Sequence, residues 1–254
     1  MLEINNLCAG YDRTEKLRGV STRFCSSCLT AIIGPNGCGK TTLLKCAAGL
    51  LKPFSGELLL DGEDYFSLSS KEIARRVSYM PQSRAVPSIS VRRLAEHGRY
   101  PYLNFGRELR QVDRDSVKEA LRRAGMVDKA NISVSHLSGG ERQRAYIAMM
   151  LAQQAGVMLL DEPTTYLDPA AQFALMGLLT SLALEGRAVV AVLHDLGLAM
   201  RYADRVILMQ DGKILMDGTP EALYKSGLLG RVFRIRVEKI REKTYIFTNQ
   251  EEEI

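Results

Sequence analysis

Gly34-Pro35-Asn36-Gly37-Cys38-Gly39-Lys40-Thr41-Thr42 constrains this chain more than any other stretch. It fits the pattern Gly, any four residues, Gly, Lys, Ser or Thr. Leu29–Ile33 ahead of it reads as a short buried strand, and Thr41–Ala48 behind it as a helix. Glycines let backbone N–H groups close around a polyphosphate without Cβ clashes. The helix N-terminus adds partial positive charge aimed at the same anion. Lys40 is placed to reach the β- and γ-phosphates, and the Thr41 hydroxyl to bind Mg²⁺. A strand–loop–helix of this kind implies an α/β core that binds a nucleoside triphosphate, and distinguishes it from a tight Gly-rich turn.

The 254 residues allow one large domain or two modest ones, and 46% apolar content suits a soluble protein with a sizeable core. No run of 18 apolar residues occurs, so no membrane-spanning helix is expected. Met1–Asn6 lacks a basic segment followed by an apolar one, so secretion is not expected. A net charge of +5 permits an anionic ligand, yet no Lys/Arg patch interleaved with aromatics points to nucleic acid. Five cysteines, an odd number, argue for reduced thiols. Cys25-Ser26-Ser27-Cys28 is a lone CxxC preceding a strand, and without a second pair it reads as structural. Cys38, beside Lys40 and a helix N-terminus, raises the expectation of a lowered thiol pKa, against the plainer reading of a small filler.

Strand patterns at 2–7 and 17–24 flank a turn containing Gly10, Asp12 and Arg13, with Tyr11 inside it. Strands follow at 57–60 and 76–80, the latter stopping at Pro81-Gln82. From about 88 to 155 helical periodicity takes over, in segments opening at Ser90, covering 108–124, and running from Glu141 to Gln154. This predicts a helical subdomain inserted into the α/β core. Apolar strands then resume at 157–160 and 188–193. Asp168-Pro169 is a helix start, Asp211-Gly212 a hairpin turn, and Thr219-Pro220-Glu221 another helix start. From 228 the chain is basic, then strand-like at 244–248, then acidic.

Asp161-Glu162 ends an apolar strand, where ligands gather in parallel sheets. Asp161 suits Mg²⁺ and its waters, and Glu162 suits polarising an attacking water, although adjacent acids also cap helices and turns. His194 closes the next buried strand and faces the γ-phosphate in this reading. Gln82 follows a strand end too, and its amide can ligate Mg²⁺ or position water. Leu137-Ser138-Gly139-Gly140-Glu141-Arg142-Gln143-Arg144 opens a long helix and offers a second anion site at a helix N-terminus.

Taken together, these residues resemble the nucleotide-binding subunits of ABC transporters, whose signature is Leu-Ser-Gly-Gly. Order and spacing agree from about residue 2 to 230: Tyr11, the phosphate loop, Gln82, the signature, Asp161-Glu162, Leu167-Asp168 and His194. The departures are small: Glu141 where Gln is frequent, Cys38 where Ala or Ser is usual, Thr165-Tyr166 before Leu167, and Ser27 for a common Gly. The resemblance implies a P-loop NTPase core with an antiparallel β subdomain and an inserted α-helical subdomain. It implies a nucleotide-binding domain over 1–235, the helical insertion at about 88–155, and a C-terminal tail over 236–254. It also implies ATP and Mg²⁺ as ligands, with catalysis by Glu162, His194, Gln82 and Lys40 and metal binding by Thr41, Gln82 and Asp161. Tyr11 would stack on the base, residues 34–42 would hold the phosphates, and Ser138, Gly139, Gly140, Glu141 and Asp168 would contact nucleotide across a head-to-tail dimer.

Val91–Tyr102, Asp161–Asp168 and Ala191–Leu196 are similar to the importers of iron-siderophore, haem and vitamin B12. That implies an ATPase at the cytoplasmic face of the membrane, working with separate permease subunits and, indirectly, a substrate-binding protein. The rivals are an importer ATPase for another solute and a soluble ABC ATPase of translation, DNA repair or cluster assembly; translation types usually carry two cassettes and repair types a long coiled coil, and this chain has neither. A nucleotide-binding regulator that does not hydrolyse is disfavoured by the presence of Glu162 and His194.

Overall fold

The computed structural model describes residues 1–12, 14–83, 86–103 and 108–249. Strands β1 (Leu2–Tyr11) and β2 (Thr14–Phe24) pair antiparallel, from Leu2 opposite Phe24 to Tyr11 opposite Thr14. The pair is longer than its apolar patterns suggested, because Gly10 continues β1 where a turn was expected. A Cβ on Gly10 would lie 1.9 Å from the Thr14 carbonyl oxygen, so only glycine lets the strands close there. Arg13 lies outside the described residues. Strand β3 (Cys28–Ile33) then feeds the phosphate loop and α1 (Lys40–Ala47).

Strand β4 (Ser55–Leu60) pairs with β1, and the short β5 (Glu63–Asp64) completes an antiparallel sheet in the order β2-β1-β4-β5. Helix α2 (Ser70–Arg76) opens on a capping box between Ser69 and Glu72 and delivers the chain to β6 (Val77–Met80). Helices α3 (Val91–His97), α4 (Gln111–Arg123) and α5 (Gly139–Gln153) follow, with no strand among the described residues between them. Arg99 ties them together. Buried at 3% exposure, it pairs with Asp113 at 2.9 Å and donates to the Ala152 carbonyl at 2.8 Å. Such a pair is costly to break, because either partner alone would be an uncompensated buried charge.

Alternation then returns through β7 (Val157–Asp161), α6 (Pro169–Leu184), β8 (Ala188–Val192), α7 (Leu196–Tyr202), β9 (Arg205–Gln210) and β10 (Lys213–Gly218). The second sheet runs β10-β9-β3-β8-β7-β6, parallel except for β10, which the Asp211-Gly212 turn folds back on β9. Its central strands are apolar on both faces, and the two-residue side-chain period assigns each face to a different core. Leu29, Ala31 and Ile33 of β3, with Met158, Leu160, Val189 and Ala191, pack against the helices. Ile32, Val157, Leu159, Val190 and Val192 pack with Leu43 and Leu44 of α1 and with the antiparallel sheet. Each fully buried Leu, Ile or Val contributes about 1.5–3 kcal/mol. The two cores therefore clamp β3 and α1, and with them the loop between, from both sides.

Helices α8 (Pro220–Lys225) and α9 (Leu228–Phe233) lead into a hairpin, β11 (Ile235–Arg241) with β12 (Thr244–Asn249). Val237, Tyr245 and Phe247 of the hairpin pack against the helical-side core. A domain boundary after residue 235 thus falls inside a folded element. Sequence-local cues gave strand character only at 244–248, because half of each strand is polar and faces outward. The acidic end, 251–254, lies outside the described residues.

Candidate active site

Three elements converge at the carboxyl ends of the parallel strands. The phosphate loop curls so tightly that its glycines are sterically required. A Cβ on Gly34 (φ +154°) would sit 2.2 Å from the Met209 carbonyl oxygen. One on Gly39 (φ +108°) would sit 2.9 Å from that of Lys16. Lys40 is 6% exposed, and its ammonium donates to the carbonyls of Gly34 at 2.7 Å and Pro35 at 2.9 Å. The loop thus holds this cation at its centre.

Asp161 is the last residue of β7 and is fully buried. Its carboxylate accepts from the Thr41 hydroxyl at 3.2 Å and the Tyr79 hydroxyl at 3.4 Å. Burial pushes the carboxyl above its ordinary range, reinforced by the charge of Glu162 and opposed by those two hydroxyls and Lys45. Glu162 follows with φ +51°, a turn that directs its carboxylate away from the strand. Gln82 donates to Glu162 Oε2 at 2.7 Å, Thr165 at 3.3 Å, and His194 Nε2 lies 2.5 Å from Oε1. Residues from the ends of three separate segments thus meet on one carboxylate.

Gln82, Glu162 and His194 border a cleft of about 450 Å³ that also includes Tyr11, Asn36, Gly37, Gly39, Lys40, Thr41 and Thr42. Tyr11 is 40% exposed, with the Lys45 ammonium 5.4 Å from its ring centroid. Lys16 of β2 lines the cleft as well. In sequence, one basic residue on an amphipathic strand looks like any solvated position.

Cys38 is buried at 5% exposure, and burial raises its thiol pKa although Lys40 opposes the shift. Desolvation outweighs the nearby cation, so Cys38 is a packed filler against Gly34 and not an activated thiolate. Glu141 stands in the first turn of α5. It caps its own helix, accepting from the Ser138 N–H at 2.9 Å, and pairs with Lys129, whose ammonium chiefly holds the carboxyl down at about 2.

Ser138, Gly139, Gly140 and Asp168 do not line the cleft. Ser138 caps α5, and Asp168 caps α6 by accepting from the Ala171 N–H at 2.9 Å. The two helix starts sit together: Cβ atoms on Gly139 and Gly140 would lie 3.7 Å from the Tyr166 carbonyl oxygen and 3.5 Å from Leu167 Cδ2. Among the described residues no group of three or more His, Cys, Asp or Glu forms a metal cluster.

A family profile described as ABC transporter matches residues 17–165. A petrobactin import ATP-binding protein of Bacillus anthracis is 42% identical over 93% of this chain and 88% of its own length. The ferric enterobactin transport ATP-binding protein of Escherichia coli (strain K12) is 42% identical over 91% of this chain and 86% of its own. Among solved structures, a component of a transporter complex from Clostridium perfringens superposes with TM-score 0.78 at 28% identity, covering 91% of this chain and 92% of that one. The dimeric structure of a bacterial ABC transporter cassette superposes at 0.77 with 27% identity, covering 87% of this chain and 99% of that one.

Proposed function

The chain belongs to the ABC transporter family of ATP-binding proteins, and from that premise we propose that it hydrolyses ATP to drive import of a metal chelate through separate permease subunits. Relatives named for petrobactin, ferric enterobactin and cobalamin import support the chelate class. Among the described residues no helix is long and apolar enough to cross a membrane, which supports a peripheral subunit bound to permeases at the cytoplasmic face. A substrate-binding protein would deliver the solute to those permeases.

The observation that carries the hydrolytic reading is the convergence of Gln82 and His194 on Glu162 beside the phosphate loop. In this reading Glu162 accepts the proton of the attacking water, and Gln82 and His194 fix the carboxylate so that it is aimed before substrate arrives. Lys40 and the loop N–H groups take up phosphate charge, and Tyr11 offers a face to the base. Thr41, Asp161 and the amide oxygen of Gln82 are hard oxygen donors that suit Mg²⁺. Asp161 in particular is a buried carboxylate whose hydrogen bonds among the described residues come from the neutral hydroxyls of Thr41 and Tyr79, a charge that a divalent cation would compensate. When bound, the metal would neutralise charge on the triphosphate.

Ser138 and Asp168 do not line the cleft of their own chain, so they fit a second copy arranged head to tail, each helix N-terminus gripping nucleotide held by the other. Glu162→Gln removes the base and keeps the shape. It is expected to retain ATP binding, to lose turnover by a factor of about a hundred or more, and to accumulate as an ATP-trapped dimer on size-exclusion chromatography. Turnover within twofold of the unmodified protein would remove Glu162 from the base role.

A further inference from the structure

Lys16 lines the cleft, and among the described residues no acid pairs with it. Its backbone is locked in place. The Lys16 carbonyl oxygen lies 2.9 Å from where a Gly39 Cβ would sit and 2.6 Å from where a Gly212 Cβ would sit, so two glycines close on it. Arg18 N donates to the Gly212 carbonyl at 2.9 Å, and Gly212 N donates to the Cys38 carbonyl at 3.1 Å, which ties β2 to the phosphate loop through the β9–β10 turn. The adjacent acid, Glu15, is engaged with Arg18 at 3.8 Å. Among the described residues the Lys16 ammonium forms no ion pair or hydrogen bond. A lysine whose backbone is pinned to a phosphate loop, and whose side chain borders the same cleft unpaired, is suited to an anionic ligand there.

We propose that Lys16 is a nucleotide-binding residue that pairs with the phosphates nearest the nucleoside. Its position along the cleft argues for that end. Thr14, two residues earlier on β2, pairs with Tyr11, so Lys16 stands about 7 Å along the strand from the residue that offers a face to the base. Glu162, Gln82 and His194 belong to the ends of the parallel strands and mark the hydrolytic end. Lys16 therefore adds charge where ATP and ADP are alike, and its contribution does not distinguish substrate from product. The inference rests on the nucleotide-binding reading above.

The test is isothermal titration of the full-length protein with MgATP and with MgADP. Lys16→Met keeps the length of the side chain and removes the charge. Because the side chain is exposed, the expected loss is modest, about threefold to tenfold in Kd. It should be equal for the two nucleotides, reversed in Lys16→Arg, and reduced at about 0.5 M salt, where screening shortens the reach of surface charge. Unchanged affinity in Lys16→Met, or a loss confined to ATP, would overturn the proposal. Failure of the unmodified protein to bind either nucleotide would instead strike the nucleotide-binding reading itself.

Discussion

At the residue scale, Asp161 shows how a site residue is held in a state the fold disfavours. Its carboxyl is raised by burial and by the charge of Glu162. A carboxyl whose folded pKa lies above its unfolded value of about 3.9 makes the native state less stable once it ionises. The cost is absent below the unfolded pKa and fully present above the folded one. Asp161→Asn removes the charge and keeps the size and an acceptor for Thr41. Without nucleotide it is expected to melt a few degrees higher than the unmodified protein at neutral pH, with the gain fading as pH falls toward 4. The same substitution should abolish Mg²⁺-dependent turnover. A lower melting temperature at neutral pH would show that the hydrogen bonds to Thr41 and Tyr79 outweigh the burial of charge. Cys38 carries the complementary lesson: sequence neighbours predicted a lowered pKa, and burial reversed the sign.

At the scale of elements, the β9–β10 hairpin acts on a loop far away in sequence. Asp211-Gly212 is legible as a turn, and its local chemistry accounts for Gly212 at φ +79°. What its backbone does there, receiving Arg18 N and donating to the Cys38 carbonyl, is a tertiary event. Gly212→Ala would drive a Cβ to 2.6 Å from the Lys16 carbonyl and hold an L-residue at a glycine conformation. The expected loss is about 1–3 kcal/mol, read as a lower urea midpoint with unchanged slope. Weaker ATP binding should accompany it, because the brace behind the phosphate loop shifts. An unchanged midpoint would mean that the turn yields freely and braces nothing.

At the scale of the whole molecule, the helix starts at Gly39 and at Ser138 are the two proposed anion sites, and Gly39 lines the cleft where Ser138 does not. On the proposed head-to-tail pairing each nucleotide needs one from each copy, and this can be separated genetically. In a Glu162→Gln background, chains with Lys40→Ala lack the phosphate-loop half of the site, and chains with Ser138→Arg lack the other half. Each alone should stay monomeric with ATP. Mixed, they form one complete site per heterodimer and should yield an ATP-dependent dimer on size-exclusion chromatography. A mixture as monomeric as its components would argue against the shared site. The docked C-terminal hairpin belongs to this scale too, since its apolar face meets α7, the helix that follows His194: a Cβ on Gly197 would lie 3.9 Å from Phe247 Cε2.

The sequence by itself determined the α/β alternation, the phosphate loop, the caps at Ser138, Asp168 and Thr219, and the Asp211-Gly212 turn. Each depends on residues within a few positions of one another, through backbone conformation, local hydrogen bonds and side-chain period. It also identified Gln82, Glu162 and His194 as candidates, because each follows the end of an apolar strand. Only the tertiary structure decided which of those groups touch: that Gln82 and His194 both reach Glu162, that Glu141 turns to Lys129, that Cys38 is buried, and that Lys16 borders the cleft. These outcomes depend on desolvation and on contacts between residues tens of positions apart. Both are set by how the two cores clamp β3 and α1, and not by the residues on either side.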